Sequence, residues 1–190
     1  MATTYKPKRH IVVDIESLST DRNAAIIDLG ATVVDFNGGQ VSQFQTYIRS
    51  AEQQDCGKFD IDPGTVDWHT KQDPGFIDLC ESAGVSFQEA ATNFAAWIAA
   101  QSDYVELHFW SQGKDFDFPI LENLFKAAGV QVPWTYSRVH CLRDLVWLNP
   151  AARLKEKNPN PHKALSDAVH EANQLIAVYN NSSWYQRLFK

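Results

Sequence analysis

The chain has 190 residues, 44% of them hydrophobic, and its 17 Lys and Arg against 23 Asp and Glu give a formal net charge of −6. The length suits one domain with a full core over residues 1–190, and the composition excludes a disordered chain. The acidic balance argues against extensive duplex binding, in which basic residues neutralise phosphates, but leaves room for a few nucleotides held beside cations. No apolar run approaches the roughly 20 residues that a membrane span needs.

The cysteines and the N-terminus bear on localisation. Cys56, Cys80 and Cys141 are odd in number and widely spaced, which argues against a disulfide framework or a thiolate zinc site and favours a reducing compartment. The N-terminal MATTYKPKR is basic but lacks the apolar segment of a signal peptide. We therefore expect a cytoplasmic protein without membrane association.

The first half of the chain predicts three strands in an antiparallel meander. HIVVDIES is typical of a buried strand, and apolar and polar residues then alternate on both sides of an Asn-Gly-Gly turn at 37–39, which predicts a hairpin. Residues 51–75 are polar and contain two Asp-Pro pairs. We interpret them as loops with at most one or two helical turns at 65–72.

The second half predicts helices alternating with strands. SFQEAATNFAAWIAAQ begins with a capping box, Ser86 and Glu89, and FPILENLFKAAG has Pro119 near its start and Gly129 as its stop. YVELHFW and YSRVHC are predicted strands, and LRDLVWL and KALSDAVHEANQLIAVY are predicted helices. The order βββ-α-β-α-β-α indicates an α/β domain with a mixed five-stranded sheet flanked by helices.

Acidic residues follow two of the predicted strands. Asp14 and Glu16 end the first strand two residues apart, and side chains at that spacing share one face. Asp115 and Asp117 come after the fourth strand, between a glycine turn and a helix. A single D-x-E pair can be a polar strand end or a chance occurrence. Like charges this close repel each other unless a cation lies between them.

A third acidic position lies at the final helix, where His162 and Asp167 are five residues apart. That spacing is about 140° around a helix, so both residues cannot occupy one helix face. We expect His162 in the loop or first turn after Pro161 and Asp167 on the helix. Four carboxylates and a histidine suit a hydrolytic site with two Mg²⁺ or Mn²⁺ ions, in which the histidine takes a proton from water.

Three segments in this order, VVDIESLS, GKDFDFPIL and HKALSDA, carry a family resemblance. Their order and spacing resemble the three motifs of DEDDh-type 3'→5' exonucleases, the histidine-bearing branch of the ribonuclease H-like superfamily. NAAIIDLGATVVDF and IDPGTVDWHTKQ also resemble small stand-alone exonucleases of phages and bacteria, including some labelled exodeoxyribonuclease VIII-like. The resemblance covers most of the chain and implies a ribonuclease H-like fold and a single exonuclease domain.

Carried over residue by residue, the resemblance implies four metal ligands and one general base, which are Asp14, Glu16, Asp117 and Asp167, and His162. The F-D pair of the second motif falls on Phe116-Asp117, so Asp117 is preferred over Asp115. The residues before that pair, Gly113-Lys114-Asp115, depart from the family pattern. Asp115 is interpreted either as a residue that supports the metal ligands or as a solvated side chain.

Three further residues are predicted to bind substrate. In related enzymes the positions of Ser17 and Leu18 meet the terminal nucleotide, and Trp68 lies in a polar segment where a ring could stack on a base. Glu171, one turn beyond Asp167, is interpreted as a solvated helix acid. The remaining histidines (His10, His69, His108, His140, His170) and tryptophans 97, 110 and 147 are interpreted as structural.

The predicted function is a divalent-metal-dependent 3'→5' exonuclease that acts on single-stranded 3' ends, with DNA favoured, and releases nucleoside 5'-monophosphates. An exoribonuclease with the same site is the alternative, because no residue reads the 2'-hydroxyl unambiguously. A catalytically silent nucleic-acid-binding module is more remote, since such domains usually lose an acid or the histidine. An endonuclease of the wider superfamily is disfavoured, and a homodimer is left open.

Overall fold

The computed structural model describes residues 8–36, 39–102 and 105–181. These residues contain five strands: β1 (Lys8–Ser17), β2 (Ile26–Asp35), β3 (Gly39–Tyr47), β4 (Glu106–Ser111) and β5 (Val139–Cys141). They also contain seven α-helices: α1 (Ser50–Asp55), α2 (Pro63–Gln72), α3 (Phe76–Ala83), α4 (Phe87–Gln101), α5 (Lys114–Ala128), α6 (Leu142–Leu148) and α7 (Ala164–Asn181). Short 3₁₀ turns lie at Tyr136–Arg138 and Pro150–Ala152.

The five strands form one mixed sheet in the order β3-β2-β1-β4-β5. β1, β2 and β3 pair antiparallel, as the predicted meander requires, whereas β1, β4 and β5 run parallel. The carboxyl ends of β1 and β4 therefore meet at one edge of the sheet, which is where ligands bind in many parallel α/β folds. The predicted mixed five-stranded α/β architecture is confirmed.

The sheet is covered on both faces, which explains why β1 is apolar at consecutive positions. Ile11, Val13 and Ile15 point into a core with α4 and α5, and Val12 points into a second core with α6 and α7. Side chains alternate along a strand, so Asp14 and Glu16 lie on the same face as Val12. The two acids of the first motif therefore face α7.

Several element boundaries differ from the sequence prediction. Residues 51–75, predicted to be mainly loop, contain α1 and the ten-residue α2. The first Asp-Pro pair begins a helix, because the Asp62 side chain accepts a hydrogen bond from the Thr65 main chain at 2.7 Å and Pro63 occupies the first helical position.

The other differences are smaller. α5 begins at Lys114, so Pro119 lies inside the helix, while Gly129 ends it in a left-handed conformation as predicted. The last strand is limited to Val139–Cys141. The Asn37-Gly38 part of the predicted hairpin turn and Tyr104 of the predicted fourth strand lie outside the described residues. None of the helices that the structure describes is both long and apolar enough to span a membrane.

The start of α7 lies directly against β2 at Gly30. A Cβ atom at Gly30 would lie inside contact distance of the main chain of Ala164 and Leu165. Two residues before Gly30 on the same strand, the buried Asp28 side chain accepts a hydrogen bond from the Ala164 main-chain N–H at 3.0 Å. A carboxylate at the N-terminus of a helix also interacts favourably with the helix dipole. These contacts fix the position from which α7 presents Asp167.

We therefore predict that Gly30→Ala lowers both stability and activity. The added methyl group must push α7 away from the sheet, and overpacking of this kind typically costs about 1–3 kcal/mol. Gly113→Ala is the control for stability, since its Cβ would meet only the end of the Arg143 side chain at 3.5 Å. Urea unfolding measures the difference. Equal stability of the two variants would show that α7 can shift without loss.

Candidate active site

The three motifs meet at the edge of the sheet where β1 and β4 end. Asp14 and Glu16 lie on β1, Asp117 in the first turns of α5, and Asp167 in the first turn of α7. Ligand atoms of Glu16, His162 and Asp167 all lie within 4.8 Å of one another. Glu16 and Asp167, about 150 positions apart in the chain, are thus brought to one place, whereas Asp14 and Asp117 are not part of this group of ligand atoms.

Burial raises the pKa of the acids at this edge, and for Asp14 and Glu16 the charges of neighbouring acids add to it. Burial raises the pKa of Asp14 well above its ordinary value, and the charges of Glu171, Asp117, Glu16 and Asp167 add to this in that order. Burial, followed by the charge of Asp167, raises the pKa of Glu16 to about 8. Burial also raises the pKa of Asp117 to about 6. The ionised forms of these acids are therefore poorly stabilised by the protein alone.

The two aspartates of the second motif are clearly distinguished by their surroundings. Asp117 is buried, whereas Asp115 is exposed in the first turn of the same helix. Phe116, between them, is partly exposed and lines the neighbouring cleft. This placement supports the preference for Asp117 as the acid that faces the other motifs.

His162 lies in the loop before α7 rather than on the helix. Its φ of 61° is in the left-handed region, which costs a residue other than glycine about 1–3 kcal/mol and tends to occur at functional sites. The turn is held by Asp167, whose Oδ2 accepts hydrogen bonds from the main-chain N–H of His162 at 2.7 Å and of Lys163 at 3.3 Å. The Asn158 amide donates to the other oxygen at 2.8 Å. Asp167 therefore positions His162 as well as facing the acids.

A cleft of about 530 Å³ opens beside Glu16. Ser17, Trp68, His69 and Phe116 contribute to its lining, and this volume is typical of small-molecule sites. Trp68 is 40% exposed and packs edge to face on the His162 ring at a centroid distance of 4.8 Å. The predicted substrate residues Ser17 and Trp68 thus lie together next to the acids.

Leu18 follows Ser17 in the chain, but its side chain is buried. Its side chain is 2% exposed and packs with Ile27, Phe76 and Cys80 in a small apolar cluster. Its main chain pairs with Ala25 and with Asp62 at the start of α2, both at 2.8 Å. A direct contact between the Leu18 side chain and a nucleotide would require this cluster to open. Binding of the terminal nucleotide by Leu18 stays a prediction that the buried position of its side chain does not support.

Two residues near the site were missed as functional candidates. His69, interpreted as structural, lines the cleft, and its Nε2 lies 3.0 Å from the Ser17 carbonyl and 3.9 Å from the Glu16 carboxylate. Since a carbonyl only accepts, Nε2 carries the proton. Asp28, which pairs with Glu16 across the sheet, is fully buried, and burial raises its pKa to about 6. An isolated acid in the apolar sequence IIDLG was the signal available for Asp28.

Glu171 also differs from its interpretation as a solvated acid. It is 9% exposed, and its Oε2 atom is buried without a hydrogen-bond partner among the residues that the structure describes. The helical spacing from Asp167 to Glu171 places both side chains on the face of α7 that packs on the sheet. The expectation of solvation is wrong because this face of the helix is covered by β1 and the β4–α5 turn.

The donor set fits a hard divalent cation. The acids that converge here offer carboxylate oxygens, which Mg²⁺ and Mn²⁺ prefer, and the histidine adds a single nitrogen. Burial, followed by the charges of neighbouring acids, raises the pKa of Asp14 and Glu16, so a cation between these groups would favour their ionised forms. Asp14, Glu16, Asp117 and Asp167 are the residues that would hold such an ion.

The raised pKa of Glu16 predicts a pH-dependent stability. A carboxyl group with a higher pKa in the folded state binds more protons when folded, so stability falls as pH rises through that range. Four histidines act in the opposite direction at lower pH. Burial lowers the pKa of His140 to about 4 and also lowers the pKa of His10, His69 and His108. Above about pH 7.5 these histidines are largely neutral in both states, which leaves the effect of the buried acids with a raised pKa, Glu16, Asp14 and Glu171.

We therefore expect the melting temperature in EDTA to fall by a few degrees between about pH 7.5 and about pH 9, corresponding to about 1–2 kcal/mol. Saturating Mg²⁺ should reduce this fall, because a bound cation favours the ionised carboxylate. Glu16→Gln should reduce the fall by the part that Glu16 contributes. A melting temperature in EDTA that is constant or rises over this interval would contradict the assignment of the raised pKa to Glu16.

Comparison with known proteins gives one family and a shared fold. A sequence model described as the 3'-5' exoribonuclease Rv2179c-like domain matches residues 9–179. An exodeoxyribonuclease of Enterobacteria phage T4 is 26% identical over 132 residues, which cover 60% of this chain and 55% of the phage protein. The chain thus corresponds to about half the length of that curated relative.

Solved structures agree at the level of the fold. The zinc-ion-bound form of the E. coli exonuclease I complex with single-stranded DNA has a TM-score of 0.71 at 15% identity, covering 97% of this chain and 43% of that chain. The nuclease domain of 3'hExo, described as a DEDDh family member bound to rAMP, has a TM-score of 0.63 at 12% identity and covers 95% of this chain and 96% of that one.

Proposed function

We propose that this chain, which belongs to the family of 3'-5' exoribonuclease Rv2179c-like domains, hydrolyses phosphodiester bonds from free 3' ends of single-stranded nucleic acid and releases nucleoside 5'-monophosphates. The observation that carries this proposal is the cluster of Glu16, His162 and Asp167, with ligand atoms within 4.8 Å, beside a cleft large enough for a nucleotide. The proposal adds Asp14 and Asp117, which lie outside that group of ligand atoms, as the other two acids of a DEDDh-type site.

Each part of the site has a proposed role. Asp14, Glu16, Asp117 and Asp167 hold two Mg²⁺ or Mn²⁺ ions, which when bound would activate water and stabilise the charge of the leaving oxygen. His162 lies in a loop with its ring at the edge of the acids, where it can accept a proton from the attacking water. The loop turn fixed by Asp167 sets the position of that ring.

The terminal nucleotide is proposed to occupy the cleft beside Glu16. Trp68 offers a partly exposed ring on which a base can stack, and Phe116 lines the same cleft from α5. His69 donates to the Ser17 carbonyl and thereby supports the strand end that carries Glu16. The carbonyl and the acid are thus held at the same wall of the cleft.

The sugar of the substrate is a separate proposal. The family is described by exoribonuclease activity, whereas the phage T4 relative and the E. coli neighbour are an exodeoxyribonuclease and an exonuclease bound to single-stranded DNA. We keep DNA as the first candidate, because the phage T4 relative is an exodeoxyribonuclease, and RNA as the second, because the family description names an exoribonuclease.

One gel assay tests both points. Single strands of DNA and RNA with a 5' label, each with a free or a blocked 3' end, are incubated with Mg²⁺, Mn²⁺ or EDTA. The proposal expects ladders that shorten only from free 3' ends and only with metal, and the faster strand identifies the sugar. Asp14→Asn is the control for contaminating nucleases. Intact strands that still shift in a binding assay would support a silent binding module instead.

Trp68 gives a more specific prediction for substrate binding. If its ring stacks on the terminal base, Trp68→Ala should raise KM by about 10-fold or more, since stacking contributes about 1–3 kcal/mol per base. Because Trp68 also packs on His162, kcat should fall as well, and Trp68→Phe should recover most of both values. Trp147→Ala is the matched control, because Trp147 is also an exposed tryptophan. An unchanged KM in Trp68→Ala would exclude stacking.

A further inference from the structure

Glu171 is a buried acid beside the site to which the three motifs assign no role. It lies one turn after Asp167 on α7, and its Oε2 atom is shielded from solvent without a hydrogen-bond donor among the described residues. Removing a carboxylate oxygen from water without a compensating partner costs free energy. The protein groups around Glu171 therefore leave an unsatisfied interaction that a ligand can supply.

The surroundings of Glu171 show where that ligand would lie. Burial and the charges of Asp117 and Asp167 raise the pKa of Glu171, while the main-chain N–H of Gln112 and the positive charge of Arg143 lower it. After burial, the charge of Glu171 contributes more than that of any motif acid to the raised pKa of Asp14. Glu171 therefore lies close to three of the four predicted metal ligands.

A second cleft gives access to this side of the acids. It has a volume of about 350 Å³, and its lining includes Gln112, Arg143, Asp167 and Glu171. The Asp167 carboxylate is near Glu16 and His162 on the side of the first cleft, and Asp167 also lines this second cleft. A hydrated cation can reach Glu171 without passing through the space assigned to the nucleotide.

We propose that Glu171 is a fifth carboxylate ligand of the cation site, acting together with Asp14 and Asp167. The inference rests on the proposed function for the presence of a divalent cation at this edge of the sheet. It accounts for the orphaned Oε2 atom, because a cation on that side would pair with it and with the acids that otherwise repel it. It also makes the site more acidic than the four-acid motif requires.

Mn²⁺ binding to the protein without nucleic acid tests the proposal. Electron paramagnetic resonance titration is carried out on wild type, Glu171→Gln, Glu171→Asp and Glu156→Gln. Glu156 is exposed in the loop before α7, so it controls for loss of one negative charge. A ligand role predicts at least a ~10-fold loss of affinity in Glu171→Gln, by comparison with the ~10–100-fold typical of residues behind the ligands, and no loss in Glu156→Gln.

Glu171→Asp separates ligation from charge alone. It keeps the negative charge but shortens the side chain, so a ligand role predicts weakened Mn²⁺ binding, whereas wild-type affinity in this variant would overturn the proposal. A Mn²⁺ soak of wild-type crystals gives a measurement that needs no variant. Anomalous density within about 2.0–2.6 Å of a Glu171 oxygen supports the proposal, and metal coordinated only by the four motif acids overturns it.

The proposed function and this inference fail in different ways. A wild-type protein that binds Mn²⁺ through Glu171 but shortens no strand in the gel assay would overturn the nuclease proposal and support the ligand. If wild type shortens strands while Glu171→Gln and Glu171→Asp bind Mn²⁺ as tightly as wild type, the nuclease proposal is supported and the ligand proposal is overturned. Melting in EDTA adds a check, because removing a repelled charge in Glu171→Gln should not lower stability if the variant folds normally.

Discussion

Asp14→Asn is expected to lose nearly all turnover while the domain stays folded. The substitution removes a carboxylate whose pKa is raised well above its ordinary value, first by burial and then by the charges of the neighbouring acids. The loss of activity should exceed the ~10–100-fold that is typical of residues behind metal ligands. In EDTA the melting temperature should stay the same or rise slightly, since a repelled charge is gone.

Asp167→Asn should differ from Asp14→Asn in stability even though both lose activity. Both oxygens of Asp167 accept hydrogen bonds, from the Asn158 amide on one side and from the main chain of His162 and Lys163 on the other. An asparagine must turn its NH₂ group toward one of these donors, and the loss of a partly exposed hydrogen bond of this kind costs about 0.5–1.5 kcal/mol. We expect a folded variant with a lower melting temperature in EDTA.

Melting curves with and without Mn²⁺ measure both effects, and Asp115→Asn serves as the control because Asp115 is exposed on the same turn as Asp117. Wild type and Asp115→Asn should gain stability from Mn²⁺ by mass action, and the two site variants should gain much less. If Asp14→Asn and Asp167→Asn keep the full wild-type rise, these acids are not metal ligands.

The sequence predicted those parts of the fold that depend on local patterns. The capping box at Ser86 is present, with the Ser86 side chain accepting from the Glu89 main chain at 3.1 Å. The alternation in β1 correctly indicated that Asp14 and Glu16 share a face, and Gly129 ends α5. The family match and the five-stranded fold confirm the predicted exonuclease family and α/β class. Periodicity and capping depend on neighbouring residues, so they can be interpreted without the rest of the chain.

The missed features depend on contacts between distant segments. Asp28 lies opposite Glu16 only through the register of β1 and β2, and Glu171 is buried only because α7 packs on β1. His69 reaches the site because an Asp-Pro pair, interpreted as loop, begins α2. Trp147, expected in the core, is 77% exposed, since the short α6 buries only positions four residues apart, Leu142 and Val146.

His162→Ala is expected to lower kcat by about 10²–10⁴-fold while the affinity for Mn²⁺ changes little, because a positioned acid–base group contributes to proton transfer and not to holding the cation. The wild-type rate should fall as the solution becomes acidic enough to protonate imidazoles, since a base acts only in its unprotonated form. His162→Asn is the second variant, because asparagine tolerates the left-handed backbone that φ = 61° imposes.

The pH profile of the variants distinguishes the general-base role from the alternatives. Metal-bound water can itself titrate near neutral pH, so the wild-type pH profile alone is ambiguous. In both variants the histidine is absent, so the residual rate should no longer show the acidic fall that a histidine base causes and should follow the hydroxide concentration. The His162 ring is within 4.8 Å of ligand atoms of Glu16 and Asp167, so it is also near enough to bind a cation. A loss of activity that excess Mn²⁺ restores would therefore make His162 a ligand, and full activity in both variants would exclude it from catalysis.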